Sequence, residues 1–224
     1  MNRHLPARSR RFDENAAMHR TTPRHVTAMI SLLAACTGVL AQTGMQPMGR
    51  FEIDRTEVTI GQFRKFVEAT GLKTAAEHAG GGSTFEAGWE QRKGWTWRSP
   101  FGQPGGDNEP AVHVTYGEAQ VFCQRAGKRL PLDAEWREAA YTERRRSPPA
   151  GFVTGKSYTY PTGDSPQGAN CLGDCGRVRT VTHAITSRGG SWWYGAAQMQ
   201  DTHRQSKPVD TAAVYLGFRC ARGG

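Results

Sequence analysis

The last third of the chain sets the tightest constraint on folding. It runs Arg188-Gly189-Gly190-Ser191-Trp192-Trp193-Tyr194 and closes on Leu216-Gly217-Phe218-Arg219-Cys220. Paired glycines serve tight turns or close backbone approach, and the aromatics behind them offer large, flat contact surfaces. Two readings stay open for Trp192 and Trp193: a bend entering a core strand, or a surface that faces a ligand. The closing Gly-Phe-Arg-Cys sets a ring suited to the core beside a sulfur, as expected of a terminal strand tied down covalently. Gly at 27 and Pro at 12 of 224 residues, with apolar residues at 37%, give loops a large share. An irregular α+β fold, with little regular secondary structure and long loops, suits that balance better than a helical bundle.

Residues 1–41 read as an export signal. Arg20 and Arg24 precede an apolar run over residues 26–35, extended to 41, which is too short to span a bilayer. Two cleavage readings compete. Val39-Leu40-Ala41 before Gln42 suits ordinary signal peptidase, whereas Leu33-Ala34-Ala35-Cys36 resembles a lipobox in which Cys36 is acylated. The mature domain is then residues 42–224, periplasmic or secreted, with a lipid on Cys36 as its one route to a membrane. The formal charge of +9 falls to +5 once these residues are set aside, and no basic stripe interleaved with aromatics appears. A nucleic-acid partner is not expected.

Export leaves Cys123, Cys171, Cys175 and Cys220, an even set in an oxidising compartment, which argues for two disulfides. Three pairings exist in principle. Only Leu172-Gly173-Asp174 separates Cys171 from Cys175, so a small local loop is plausible and Cys123 would then pair with Cys220. Zinc is the poorer reading, because no second close Cys/His pair follows.

Along the chain, residues 51–58 read as a short strand. Thr59 then caps a helix with Ile60, Phe63, Phe66 and Val67 on one face and Gly71 ending it. Residues 72–109 read as loop, with Trp89, Trp95, Trp97 and Phe101 pinning it to the core. Val112-His113-Val114 reads as a second strand. Thr115 and Glu118 form a capping box for a helix that buries Ala119, Phe122, Cys123 and Ala126 and stops at Gly127. A third helix covers residues 133–141, capped by Asp133, with Arg129, Glu135 and Trp136 in structural roles. Residues 142–168 read as loop.

Three stretches carry a family resemblance. R-G-G-S-W followed by L-G-F-R-C, Phe51-Glu52-Ile53-Asp54-Arg55-Thr56-Glu57-Val58-Thr59, and Ala126-Gly127-Lys128-Arg129-Leu130-Pro131 with Ala134-Glu135-Trp136 resemble, in order and spacing, the formylglycine-generating enzyme (sulfatase-modifying factor) superfamily. The resemblance covers about residues 51–220 and implies a C-type-lectin-like α+β fold. It also implies that Cys123 pairs with Cys220. Asn170 matches a calcium-site position of that family, but the segment built around G-N-V-W-E-W, which supplies the other ligands, is absent. Calcium is therefore possible with an incomplete site. The family's opening apolar segment is missing too, apart from Met48-Gly49.

The resemblance also locates a loss. Family enzymes oxidise a substrate cysteine with O₂ and copper held by two thiolates, and thiolates suit copper(I) because it is soft. The matching positions hold Tyr194 and Met199, so copper is not expected. His78, His113, His183 and His203 have no metal-site spacing. Two function classes remain. One is a divergent periplasmic oxidoreductase using Ser191, Tyr194, Asp201 and His203. The other is a non-catalytic module that presents Trp192, Trp193, Gln198 and Gln205 to a small molecule or to a protein or peptide.

Overall fold

The computed structural model describes residues 44–169 and 194–224, all within a unit covering residues 40–224. Its order is β1 (Met45–Pro47), β2 (Phe51–Asp54), α1 (Ile60–Thr70), α2 (Ala75–His78), β3 (Ser83–Phe85), β4 (Trp89–Gln91), α3 (Tyr116–Arg125), α4 (Asp133–Tyr141), a 3₁₀ turn (Ala196–Met199) and β5 (Ala221–Gly223). The strands form an antiparallel sheet in the order β1-β2-β5 and a separate β3-β4 hairpin. This is the expected α+β fold with short elements and long loops. No helix among the described residues is long and apolar enough to cross a membrane.

The helices begin where local chemistry satisfies their free amides. Thr59 Oγ1 accepts from Gln62 N, and Gln62 Oε1 accepts from Thr59 N at 2.9 Å. Thr115 and Glu118 repeat the arrangement at α3. Each such cap contributes about 1 kcal/mol. Gly71 ends α1 at φ 69°, a left-handed conformation that glycine adopts without penalty.

Burying one face of α1 builds the core. Ile60, Phe63, Phe66 and Val67 pack with Trp97, Val114, Ala119, Phe218 and the Cys123–Cys220 pair. The Phe63 ring lies 5.1 Å from Trp97, 5.7 Å from Phe122 and 6.1 Å from Phe218. Full burial of such rings contributes roughly 2–3 kcal/mol each. Cys123 and Cys220 are joined as a disulfide across 97 residues. Cys171 and Cys175 lie outside the described residues.

Several expectations are corrected. β2 stops at Asp54, not at residue 58, and Val58 instead pairs singly, donating to Phe218 O and accepting from Ala111 N. Residues 72–109 are not all loop. Thr74 and Glu77 build a capping box for α2, and β3 pairs β4 in register. Of the aromatics there, Trp97 is buried while Trp89 and Phe101 are largely exposed, so only part of the loop is pinned as expected. β1 was not anticipated. Ala126 is exposed, because α3 has already ended at Arg125, and Phe122 is only partly buried at the edge of the core. Asp133 is the first residue of α4 and not its cap. Leu132 holds the cap position, and its N–H donates to Glu135 Oε2 at 2.8 Å.

Val112-His113-Val114 is not a strand either, because His113 takes φ 56°, a region sparsely populated outside glycine. The His113 ring is fully buried, and its Nε2 lies 3.0 Å from Pro100 O, donating to it. Gly82 lies so close that a Cβ there would come within 2.1 Å of His113 Nδ1. The backbone turns at His113 to send an imidazole under the aromatic loop, which it ties down through Pro100.

Two expected outcomes follow from this packing. Replacing Cys123 and Cys220 together by alanine should cost about 4–5 kcal/mol in the chain-entropy account, given the 97-residue separation. Denaturant unfolding with and without reductant measures it, and an unchanged midpoint would refute the tie. Burial holds the His113 imidazole below its ordinary pKa of 6.5. The unfolded chain therefore binds the extra proton first, and the stability held above pH 6.5 is lost as pH falls through that value. His113→Asn, which tolerates positive φ, should be less stable at pH 7.5 but should lose less on acidification to pH 5. A parallel pH profile of melting midpoints would contradict this.

Candidate functional site

Residues 194–215 form the face on which most sequence-predicted site residues lie. They are held from three sides. Ser83 N donates to Ala212 O, Val214 N to Ser83 O, and His113 N to Ala213 O. Further back, Asp201 N donates to Thr159 O, and Tyr141 Oη donates to Met199 O at 3.0 Å. These bonds position a segment that has almost no regular structure of its own.

Tyr194 and Gln205 are brought together, with Tyr194 Oη donating to Gln205 Oε1 at 3.4 Å. The Tyr194 ring meets Tyr215 edge to face at 5.9 Å, and Tyr215 meets Trp89 of β4 at 6.3 Å. Phe85 of β3 lies edge-on to Trp89 at 5.6 Å. Lys207 completes the cluster, its Nζ 5.4 Å from the Trp89 ring centre and 5.6 Å from that of Tyr215. Burial pushes the Tyr215 phenol well above its ordinary range and pulls the Lys207 ammonium below its own. Trp89 and Phe85 keep 52% and 40% of their surface exposed, so the hairpin offers open aromatic surface beside a cation.

The other candidates have different surroundings. Asp201 pairs with Arg137 Nη2 of α4 at 3.0 Å, so its carboxylate is already engaged. His203 is half-buried and donates its backbone N–H to Gln200 O. The Gln198 N–H closes the 3₁₀ turn on Gly195 O, leaving its half-buried side chain at the edge of the face. Ser191, Trp192, Trp193 and Asn170 lie outside the described residues. Sequence reasoning missed Trp89, Lys207 and Tyr215 as parts of one site. Tyr215 directly precedes Leu216 of the L-G-F-R-C stretch, and that adjacency was the available signal.

Tyr194 and Met199 do not by themselves make a site for copper(I). Tyr194 offers a phenol at a position where the family resemblance implies a thiolate. Met199 offers a thioether that is 6% exposed and packed with Ala169, Ala196 and Tyr160. A lone soft donor in an apolar cluster is a poor copper(I) site. Among the described residues no group of three or more His, Cys, Asp and Glu is arranged to hold a metal ion.

Comparison with known proteins accords with this architecture. The model of the sulfatase-modifying factor enzyme 1-like domain matches residues 40–176, more than half of the chain. The formylglycine-generating enzyme of Streptomyces coelicolor is 34% identical over 139 residues, covering 53% of this chain and 41% of the relative. The chain thus spans less than half the length of the curated relatives it first matches. The inactive Cα-formylglycine-generating enzyme 2 of Bos taurus is 33% identical over 241 residues, covering 77% of each chain. The solved structure of PvdO from Pseudomonas aeruginosa superposes with a TM-score of 0.45 at 20% identity, over 78% of this chain and 80% of that one. The chain belongs to the sulfatase-modifying factor (formylglycine-generating enzyme) family and has that family's α+β fold.

Proposed function

We propose that this chain is a non-copper member of its family, which uses the face around Tyr194, Gln205 and Lys207 to bind a ligand. The observation that carries the reading is the residue pair at the expected thiolate positions. A phenol set edge to face against Tyr215 and a thioether sunk in an apolar cluster cannot hold the soft metal on which O₂ chemistry depends. The same substitution enlarges the aromatic surface, since the Tyr194 ring now packs against Tyr215 and, through it, Trp89. The bovine relative that shares 77% coverage in both directions is itself named inactive, which supports the same direction. A divergent oxidoreductase that works without copper is the competing reading.

Both readings meet one assay. Incubation with copper(I), O₂, reductant and a Cys-x-Pro-x-Arg peptide should leave the peptide mass unchanged and consume no O₂ above background. Conversion of the cysteine to an aldehyde would overturn the proposal. Peptide-independent O₂ uptake abolished by Tyr194→Phe would favour the oxidoreductase.

The proposal places the protein outside the cytoplasm. Arg20 and Arg24 before the apolar run, together with an even set of cysteines beyond residue 41, support export. The intact mass of the envelope or secreted form should begin at Gln42 or at a lipidated Cys36. Cys36→Ser should block processing only in the second case, and a full-length cytoplasmic product would rule out both.

A further inference from the structure

Beside the aromatic cluster lies a cavity of about 450 Å³, within the range of small-molecule sites. Its inner wall is Val114, Ala119 and Leu216, of which the first two are buried core residues. Its rim carries Arg204 and Lys207, with hydroxyls from Thr115 and Thr211. One acid, Asp133, also lines it. Asp133 stands in the first turn of α4, where the helix's free amides already favour a negative charge.

The two cations lack such compensation. Neither Arg204 nor Lys207 forms an ion pair with an acid among the described residues. Arg204 is exposed. Among the described residues, the Lys207 ammonium lies over the Trp89 and Tyr215 rings. Ring faces attract a cation without neutralising it. A lysine stem with four rotatable carbons can carry its charge from the rings to the cavity mouth.

We propose that this cavity binds a small organic carboxylate, with the anion held between Arg204 and Lys207 and a short apolar body laid against Val114, Ala119 and Leu216. This rests on the ligand-binding reading above and names its ligand class. Charge complementarity selects the head group, because a guanidinium meets a carboxylate through two parallel hydrogen bonds. The apolar wall selects against inorganic anions, which gain nothing from it.

The experiment titrates the full chain with benzoate and hexanoate, and in parallel with the neutral benzamide and hexanol, by calorimetry and by NMR shift perturbation. The carboxylates should bind at least tenfold more tightly than their neutral partners. Their affinity should fall as salt is raised. Arg204→Gln and Lys207→Met should each weaken carboxylate binding about tenfold, the scale of a lost charge-assisted contact, and should weaken binding of the neutral partners less than that. Both residues sit on the rim, so unchanged melting midpoints will confirm that the variants fold. Equal affinity for neutral partners would overturn the carboxylate assignment while leaving a binding module in place. Variants that bind carboxylate as tightly as the parent would likewise exclude these two cations. Absence of any binding, combined with peptide oxidation in the copper assay, would remove the underlying reading as well.

Discussion

The rest of the structure hangs on the burial of one four-residue stretch, Phe218 to Ala221. Phe218 is fully buried and meets Phe63 and Phe122 edge to face. Cys220 is bonded to Cys123 of α3, accepts a backbone bond from Asp54 N of β2, and donates its own N–H to the Asp54 carboxylate. Lys128 Nζ caps that carboxylate at 2.6 Å. Ala221 and Arg129 bond each other in both directions. In a chain with so few long elements, buried backbone groups still need partners, and here single bridges between loops supply them. The stretch ties β2, the first and third helices and the Lys-Arg loop into one body.

What could be read from the sequence follows from how local each signal is. The caps of α1 and α3 were legible because a threonine and a glutamine or glutamate three residues apart complete the chemistry by themselves. The apolar face of α1 was legible because its spacing repeats along a helix. The sheet was legible only in part: the strand read over residues 51–58 contains β2, but β1 gave no signal, since strands of three or four residues cannot show a period. The β3-β4 hairpin was missed for the same reason. His113 defeated a strand reading because its positive φ is imposed by tertiary contacts, the space opened by Gly82 and the carbonyl of Pro100. The Cys123–Cys220 pairing followed from family resemblance; spacing alone left three arrangements open.

The site divides along the same line. Tyr194, Gln198, Asp201, His203 and Gln205 lie in one short segment and were found together by position. The structure joins Tyr194 to Gln205 and commits Asp201 to Arg137. One partner that turns the segment into a surface comes from far earlier in the chain: Trp89 arrives on the hairpin, against Lys207 and Tyr215 of the segment's own second half. No sequence pattern couples Trp89 to that segment, and only the fold reveals that three rings and an ammonium share a face.

This separation explains how the fold can keep its shape while its chemistry changes. The anchor at Phe218 to Ala221 and the core around Phe63 make no use of the residues at 194 and 199. Met199 packs in its own small cluster with Ala169 and Ala196, and Tyr194 packs on Tyr215 at the rim. Side chains at those two places can therefore differ without opening a cavity in the main core. Tyr194 and Met199 themselves contribute apolar area to the packing of the loop that carries them. The segment from Tyr194 to Tyr215 is held by backbone bonds to Ser83, His113 and Thr159, none of which depends on its side chains. Backbone tethering of this kind leaves the side chains free to vary. It presents whatever they are as a preformed surface, so binding there loses little conformational entropy.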